Sequence, residues 1–196
     1  MTRFAATMMI AFLATSAHAA NELRLLDVCL RADHDISIMS DRLSEFGWVE
    51  TSEKTDTLTN GLKWIGTTQY FTTDSGGELL ETILDLKERT AAGLLRKKDI
   101  PQSKNRFLVR EDEVLHVMWR KPTPAFTEVE CHAALSPTTV EDIQKAHGAL
   151  TTAFTRLPTR KSDGGQVDIS LLNSYILESY EAPAAILRTY IQVQDP

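Results

Sequence analysis

The sequence lacks the short motifs that mark common catalytic and nucleotide-binding sites. It contains no GxSxG nucleophile elbow, no HExxH zinc motif, no P-loop and no GxGxxG followed by an acidic residue. Gly76-Gly77 precedes a predicted helix, where backbone N–H groups can bind an anion, but Glu78 and Glu81 in the first turn would repel one. We therefore predict no cofactor and no bound metal.

An excess of positive charge is also missing. The chain has 21 Lys and Arg against 27 Asp and Glu, a formal net charge of −6. Nucleic acids and anionic lipids both require a basic footprint, so we expect neither as a partner. Beyond residue 19, no apolar stretch approaches the roughly 20 residues that span a bilayer, so we expect no stable membrane insertion of the mature chain.

The N-terminal residues have the pattern of a signal peptide. Arg3 gives a positive start, residues 4–14 are a short apolar segment, and Ala17-His18-Ala19 is typical of a cleavage site. We predict a signal peptide over residues 1–19 and a periplasmic or secreted mature protein, exported as in bacteria. A retained anchor is the alternative, but the apolar segment is short for a span.

The mature chain is expected to be one globular domain. Removing residues 1–19 from the 196-residue chain leaves 177 residues, enough for a substantial core. Repeats, low-complexity tracts and long Pro/Gly/Ser linkers are absent. We therefore predict a single α+β domain over residues 20–196.

Cysteine is rare, and its count is informative. Cys29 and Cys131 are the two cysteines, and both have apolar neighbours at the local spacing. Because an oxidising compartment favours pairing, we predict a structural disulfide that closes a loop of about 100 residues. Two buried free thiols and one reactive thiol are the alternatives, although no CxxC motif or cationic activator is present.

Helical spacing dominates the first half of the chain. Ile36, Met39, Leu43 and Phe46 recur at intervals of three or four residues. Asp33 or Asp35 can cap the start of this helix, and Gly47 supplies a left-handed residue after its end. A long helix is also predicted from residue 74 towards residue 98.

Residues 51–74 are compatible with two structures. Asn60-Gly61 among threonines suggests a hairpin turn, whereas Leu58, Leu62 and Ile65 fit one face of a helix. We favour the helix because the aromatic residues of this segment do not alternate with polar ones.

The second half changes to the period of two that is typical of strands. The predicted elements are strands at 107–109, 114–120 and 126–135, a helix that begins at Ser136-Pro137 and stops before Pro158, and strands at 167–171 and 185–193. The predicted fold is therefore α+β, in the order helices-βββ-α-ββ. We expect the N-terminal helices to pack on one face of a mostly antiparallel sheet of about five strands.

One group of residues from distant positions has acid/base character. If residues 114–120 and 126–135 form a hairpin, His116, His132, Glu128 and Glu130 share its outer face, opposite the apolar positions. These four residues are the candidate catalytic residues in the sequence. The alternative, which we favour, is a solvated sheet face carrying weak cross-strand pairs.

The leading interpretation of function is a non-catalytic envelope protein that binds a protein partner or a small ligand. The alternatives are a periplasmic hydrolase with a site built from the scattered His and Glu residues, and a secreted inhibitor or immunity-type protein. An enzyme should place those side chains in a pocket with shifted pKa values, whereas a binder should show an apolar or aromatic patch without them.

Overall fold

The computed structural model describes residues 25–31, 35–67, 78–96, 101–150, 154–157, 165–172 and 181–194. The predicted signal peptide lies outside these ranges, as do residues 68–74 of the segment with two possible structures. None of the helices within the ranges combines the length and apolar composition that a membrane span requires.

The core of the molecule is a single antiparallel sheet in the order β1-β2-β3-β4-β7-β6-β5. The strands are β1 (Val49–Glu50), β2 (Ser103–Arg110), β3 (Glu113–Thr123), β4 (Phe126–Leu135), β5 (Phe154–Leu157), β6 (Gln166–Leu171) and β7 (Ala185–Gln194). The mixed α+β class is thus confirmed, with seven strands instead of about five. The sequence analysis did not predict β1, which is only two residues long. It also assigned the residues of β5 to the helix predicted to stop before Pro158, whereas α5 ends at His147.

Five helices pack around the sheet in the part of the chain that the structure describes. They are α1 (residues 25–30), α2 (Ile36–Ser44), α3 (Asp56–Thr67), α4 (Glu78–Leu94) and α5 (Pro137–His147). The predicted caps of α2 are present: Asp35 accepts a hydrogen bond from the Ser37 backbone, and Gly47 has a φ of 82°. Residues 56–67 form α3, so the helical alternative for this part of the chain is the correct one.

Helices cover both faces of the sheet, so the prediction of packing on one face was wrong. Side chains of α1, α2 and α5 pack with Leu115, Val117 and Cys131, on what we call the disulfide face. Side chains of α3 and α4 pack with Val114 and Ala134. Successive side chains of a strand point to opposite faces, so these even-numbered positions of β3 and β4 lie on the opposite face from the odd-numbered ones. Strand periodicity separates the two faces but does not say which helix covers each.

The disulfide face is joined to α1 by the predicted bond. Cys29 in α1 and Cys131 in β4 are bonded, fully buried, and have their Cα atoms 6.0 Å apart. That separation lies within the usual range for a disulfide. The cysteine pairing predicted from the sequence is confirmed.

The opposite face is covered over only part of its length. Helix α3 lies against β3 and β4, and Gly61 comes so close that a Cβ atom there would stand 2.4 Å from Val114. The register aligns one largely apolar row across six strands: Val109, Val114, Ala134, Ile186, Ser170 and Phe154. This row is buried at Val114, Ala134 and Ile186, whereas Phe154 at the β5 edge is exposed. Beyond this row the same face becomes polar.

Candidate ligand-binding surface

Three further rows of the opposite face carry mostly polar side chains. The first row is Phe107, His116, His132, Arg188, Asp168 and Arg156; the second is Asn105, Met118, Glu130, Tyr190 and Gln166; the third is Ser103, Arg120, Glu128 and Gln192. We call these three rows the polar half. Because the side chains stand on paired strands, the backbone ladder fixes their spacing.

Glu130 is the centre of the polar half. Its carboxylate accepts a hydrogen bond from His132 Nε2 at 3.1 Å and from Arg188 Nη2 at 3.1 Å, and Arg120 Nη1 lies 3.5 Å away. Only 7% of the Glu130 side chain is exposed, against 47% for Arg120 and 56% for Arg188. The carboxylate therefore lies beneath two guanidinium groups that face solvent.

These contacts make Glu130 strongly acidic. The hydrogen bond from His132 is the largest cause that lowers its pKa, and the charges of His132, Arg188 and Arg120 act in the same direction. Burial opposes them, and the resulting pKa is about 2 instead of 4.5. The ionised carboxylate can only accept hydrogen bonds, so His132 Nε2 carries the proton that is shared with it.

A second carboxylate, Glu128, is held by neutral donors. Its Oε1 atom accepts hydrogen bonds from the Tyr190 hydroxyl at 3.1 Å and the Gln192 amide at 3.3 Å. Burial raises the pKa of Tyr190, and the hydrogen bond to Glu128 raises it further. The phenol therefore stays protonated and continues to donate to the carboxylate.

The third carboxylate, Asp168, lies towards the β5 edge of the sheet. Arg156 Nε donates to Asp168 Oδ1 at 2.9 Å, and the Gln166 side-chain amide donates to Oδ2. Among the described residues, each of the three carboxylates is thus held by side chains of its own or neighbouring strands.

His116 does not lie where the sequence predicted. It lies on the expected face of β3, but it is 3% exposed instead of open to solvent. Its ring stacks on Phe107 with centroids 4.7 Å apart, and its Nε2 atom donates to Asn105 Oδ1 at 3.0 Å. The ring of His132 meets it edge-on, with centroids 6.4 Å apart. The aromatic residue on β2 covers this position, which the pattern of β3 alone could not reveal.

The four candidate catalytic residues named from the sequence therefore lie in three different environments. Glu130 and His132 contact each other, Glu128 contacts Tyr190 and Gln192, and His116 is packed away from solvent. The sequence analysis did not identify the arginines and the tyrosine that contact the three carboxylates. Their signal was present, because Arg188, Tyr190 and Gln192 alternate with buried residues along the predicted last strand.

Among the clefts lined by described residues, two adjoin the sheet. One, of about 420 Å³, is lined by the N-terminal part of α3 and by Asp112 and Glu181. The other, of about 470 Å³, lies beside β2 and includes Asn105 and Phe107, so it borders the polar half. Neither contains the Glu130–His132 pair.

Within the described ranges, no three His, Cys, Asp or Glu side chains are grouped so that they could hold a metal ion. No protein-family model, no curated protein and no solved structure matches this chain.

Proposed function

We propose that this protein is an exported, non-catalytic protein that binds a ligand or partner on the polar half. The observation that carries the proposal is the arrangement of three carboxylates in adjoining rows, each held by fixed donors while the arginines above remain exposed. Binding groups are positioned more accurately on strands than on loops, because the backbone ladder restricts their movement.

The arrangement of the network supports a binding role over a purely structural one. Exposed ion pairs stabilise a fold by only about 0–1 kcal/mol, and burial of Glu130 offsets part of its attraction to His132 and the arginines. A solvated face needs no such network, since water satisfies isolated polar side chains. Pre-oriented donors and acceptors are, by contrast, what a polar ligand requires.

Export is supported by two independent features. The N-terminal pattern is that of a cleaved signal peptide, and the Cys29–Cys131 bond is a structure that oxidising compartments favour. The site of action would then be the periplasm or the exterior.

Titration of ¹⁵N-labelled protein with fractionated small molecules of the bacterial envelope, followed by NMR, tests the function. We expect at least one fraction to shift backbone resonances of β4, β6 and β7 in the polar half. The shifts should disappear in Arg188→Ala and persist in Arg31→Ala, which removes another exposed arginine from an ion pair far from the polar half. Shifts confined to the disulfide face or the clefts, or no shifts with any fraction, would overturn the proposal.

A hydrolytic role is the second candidate, favoured by the contact between Glu130 and His132. An ionised carboxylate that holds an imidazole can orient it as a general base. Chemical conversion of the bound compound during the titration, lost in His132→Ala, would favour the hydrolase over the binder.

A further inference from the structure

The polar half is unsuited to an anionic ligand. Arg120 and Arg188 are the exposed cations at its centre, and both already contact Glu130. The pKa of that carboxylate is about 2, so it keeps its charge at any physiological pH. A phosphate, sulfate or carboxylate of a ligand would have to compete with an anion that the fold itself supplies.

A cationic ligand is disfavoured at two of the three carboxylates, Glu130 and Asp168. It would meet the two exposed guanidinium groups before it reached the buried carboxylate of Glu130, and Asp168 is already paired with Arg156. The formal charges of the polar half also balance, with three arginines against three carboxylates when histidine is neutral. The surface offers hydrogen bonds without a net charge, which favours a neutral polar ligand.

The remaining hydrogen-bonding atoms of the described residues include both donors and acceptors. Within this part of the chain, Arg188 uses only Nη2 in its contact with Glu130, which leaves Nε and Nη1 as donors. Glu128 uses only Oε1 among the described residues, which leaves Oε2 as an acceptor beside the amide of Gln192. A hydroxyl group both donates and accepts, so closely spaced hydroxyls match this arrangement.

An exposed aromatic ring continues the same surface. Phe126 lies on the same face of β4 as Glu128 and Glu130, two residues before Glu128. Its side chain is 37% exposed. The C–H face of a sugar ring packs on such an aromatic surface while its hydroxyls reach the neighbouring polar groups. From Phe126 to His132 the strand spans about 20 Å, which is long enough for several sugar rings.

We propose that the ligand of the polar half is a neutral oligosaccharide, bound along β4 from Phe126 towards His132. This inference rests on the proposed function and adds the chemical class of the ligand. The sugar rings stack on Phe126, and their hydroxyls bond to Glu128, Gln192 and the arginines.

Native affinity electrophoresis of the mature protein tests the ligand class. The gels contain dextran, xylan, galactomannan or hydroxyethyl cellulose as neutral probes, and alginate as the anionic probe. We expect at least one neutral polysaccharide to retard the protein and alginate to have no effect. Retardation by alginate alone, or by none of the neutral probes, would overturn the inference.

Matched variants locate the binding. Phe126→Ala and Gln192→Ala should each weaken the retardation at least tenfold. Phe154→Ala, which removes another exposed phenylalanine from the β5 edge, should change it less than twofold. Equal losses in Phe126→Ala and Phe154→Ala, or no loss in Phe126→Ala, would contradict the location.

The two proposals fail differently. If an envelope compound shifts resonances in the polar half while every neutral polysaccharide fails, the surface is a binding site and only the ligand class is wrong. If the resonance shifts fall elsewhere, the proposed function itself is wrong.

Discussion

Glu130 stays ionised because donors from three neighbouring strands meet at its carboxylate. His132 lies on β4 itself, Arg120 on β3 and Arg188 on β7. The favourable contacts outweigh the cost of burial, so the folded state holds this carboxylate more strongly in its charged form than the unfolded chain does.

The first prediction concerns the pH dependence of stability at this residue. A carboxyl whose folded pKa is lowered stabilises the fold above its unfolded pKa, and this contribution is lost as the pH falls through the folded value. Wild type should therefore exceed Glu130→Gln in unfolding free energy most clearly above about pH 5. The difference should shrink as the pH falls from 4.5 towards 2, by at most about 3 kcal/mol.

Urea unfolding at a series of pH values measures this difference. Glu53→Gln, at an exposed position outside the polar half, serves as the control and should differ from wild type by less than about 0.5 kcal/mol throughout. A constant gap between wild type and Glu130→Gln across the pH range would show that Glu130 has no unusual acidity.

At the scale of the element, α3 shows how one sequence signal can have two meanings. Asn60-Gly61 was compatible with a hairpin turn, but both residues lie within the helix. The Asn60 amide donates to the Glu181 carbonyl at 3.0 Å, and Gly61 allows the helix backbone to approach Val114. The glycine is therefore required for close packing of helix on sheet and not for a turn.

The second prediction is that Gly61→Ala destabilises the protein. Its methyl group would overlap the Val114 side chain, and overpacking of this kind costs about 1–3 kcal/mol, more than the gain in helix propensity. Gly93→Ala in α4 is the matched control, because a Cβ there meets nothing within 4 Å.

Thermal and urea unfolding should show Gly93→Ala as the most stable protein, wild type as intermediate and Gly61→Ala as the least stable. Adding Val114→Ala to Gly61→Ala should cost less than the sum of the two single changes, since it relieves the overlap. A Gly61→Ala variant as stable as wild type would show that α3 does not approach the sheet so closely.

At the scale of the whole molecule, the Cys29–Cys131 bond joins the first described helix to a central strand. The cysteines are 102 residues apart in the sequence, so the bond restricts a large part of the unfolded chain. The chain-entropy model gives about 4–5 kcal/mol for a loop of this size.

The third prediction follows from this bond and from the proposed export. Protein recovered from the extracytoplasmic fraction should have the mass of residues 20–196 and should gain two mass units on reduction. Replacing both cysteines with alanine should lower the unfolding free energy by about 3–5 kcal/mol, and reductant should then have no further effect. A recovered species that retains residues 1–19, or one that titrates two free thiols when denatured, would contradict the prediction.

The sequence by itself determined those features that depend on local periodicity and capping. The spacing of apolar residues and the cap at Asp35 define α2, and alternation along β3 and β4 places Glu128, Glu130 and His132 on one face. The cysteine count, together with the predicted export, was likewise enough to predict the disulfide. These are properties of one segment, or of composition, and they need no knowledge of distant neighbours.

Only the tertiary structure decided how the segments meet. It placed α3 and α4 on the face that no helix was expected to cover, and Phe107 of β2 over His116. It also brought Arg120 and Arg188 to the same carboxylate from strands far apart in the sequence. The physical reason is that strand order and helix coverage are chosen by the burial of apolar area across the whole chain, which no single segment encodes.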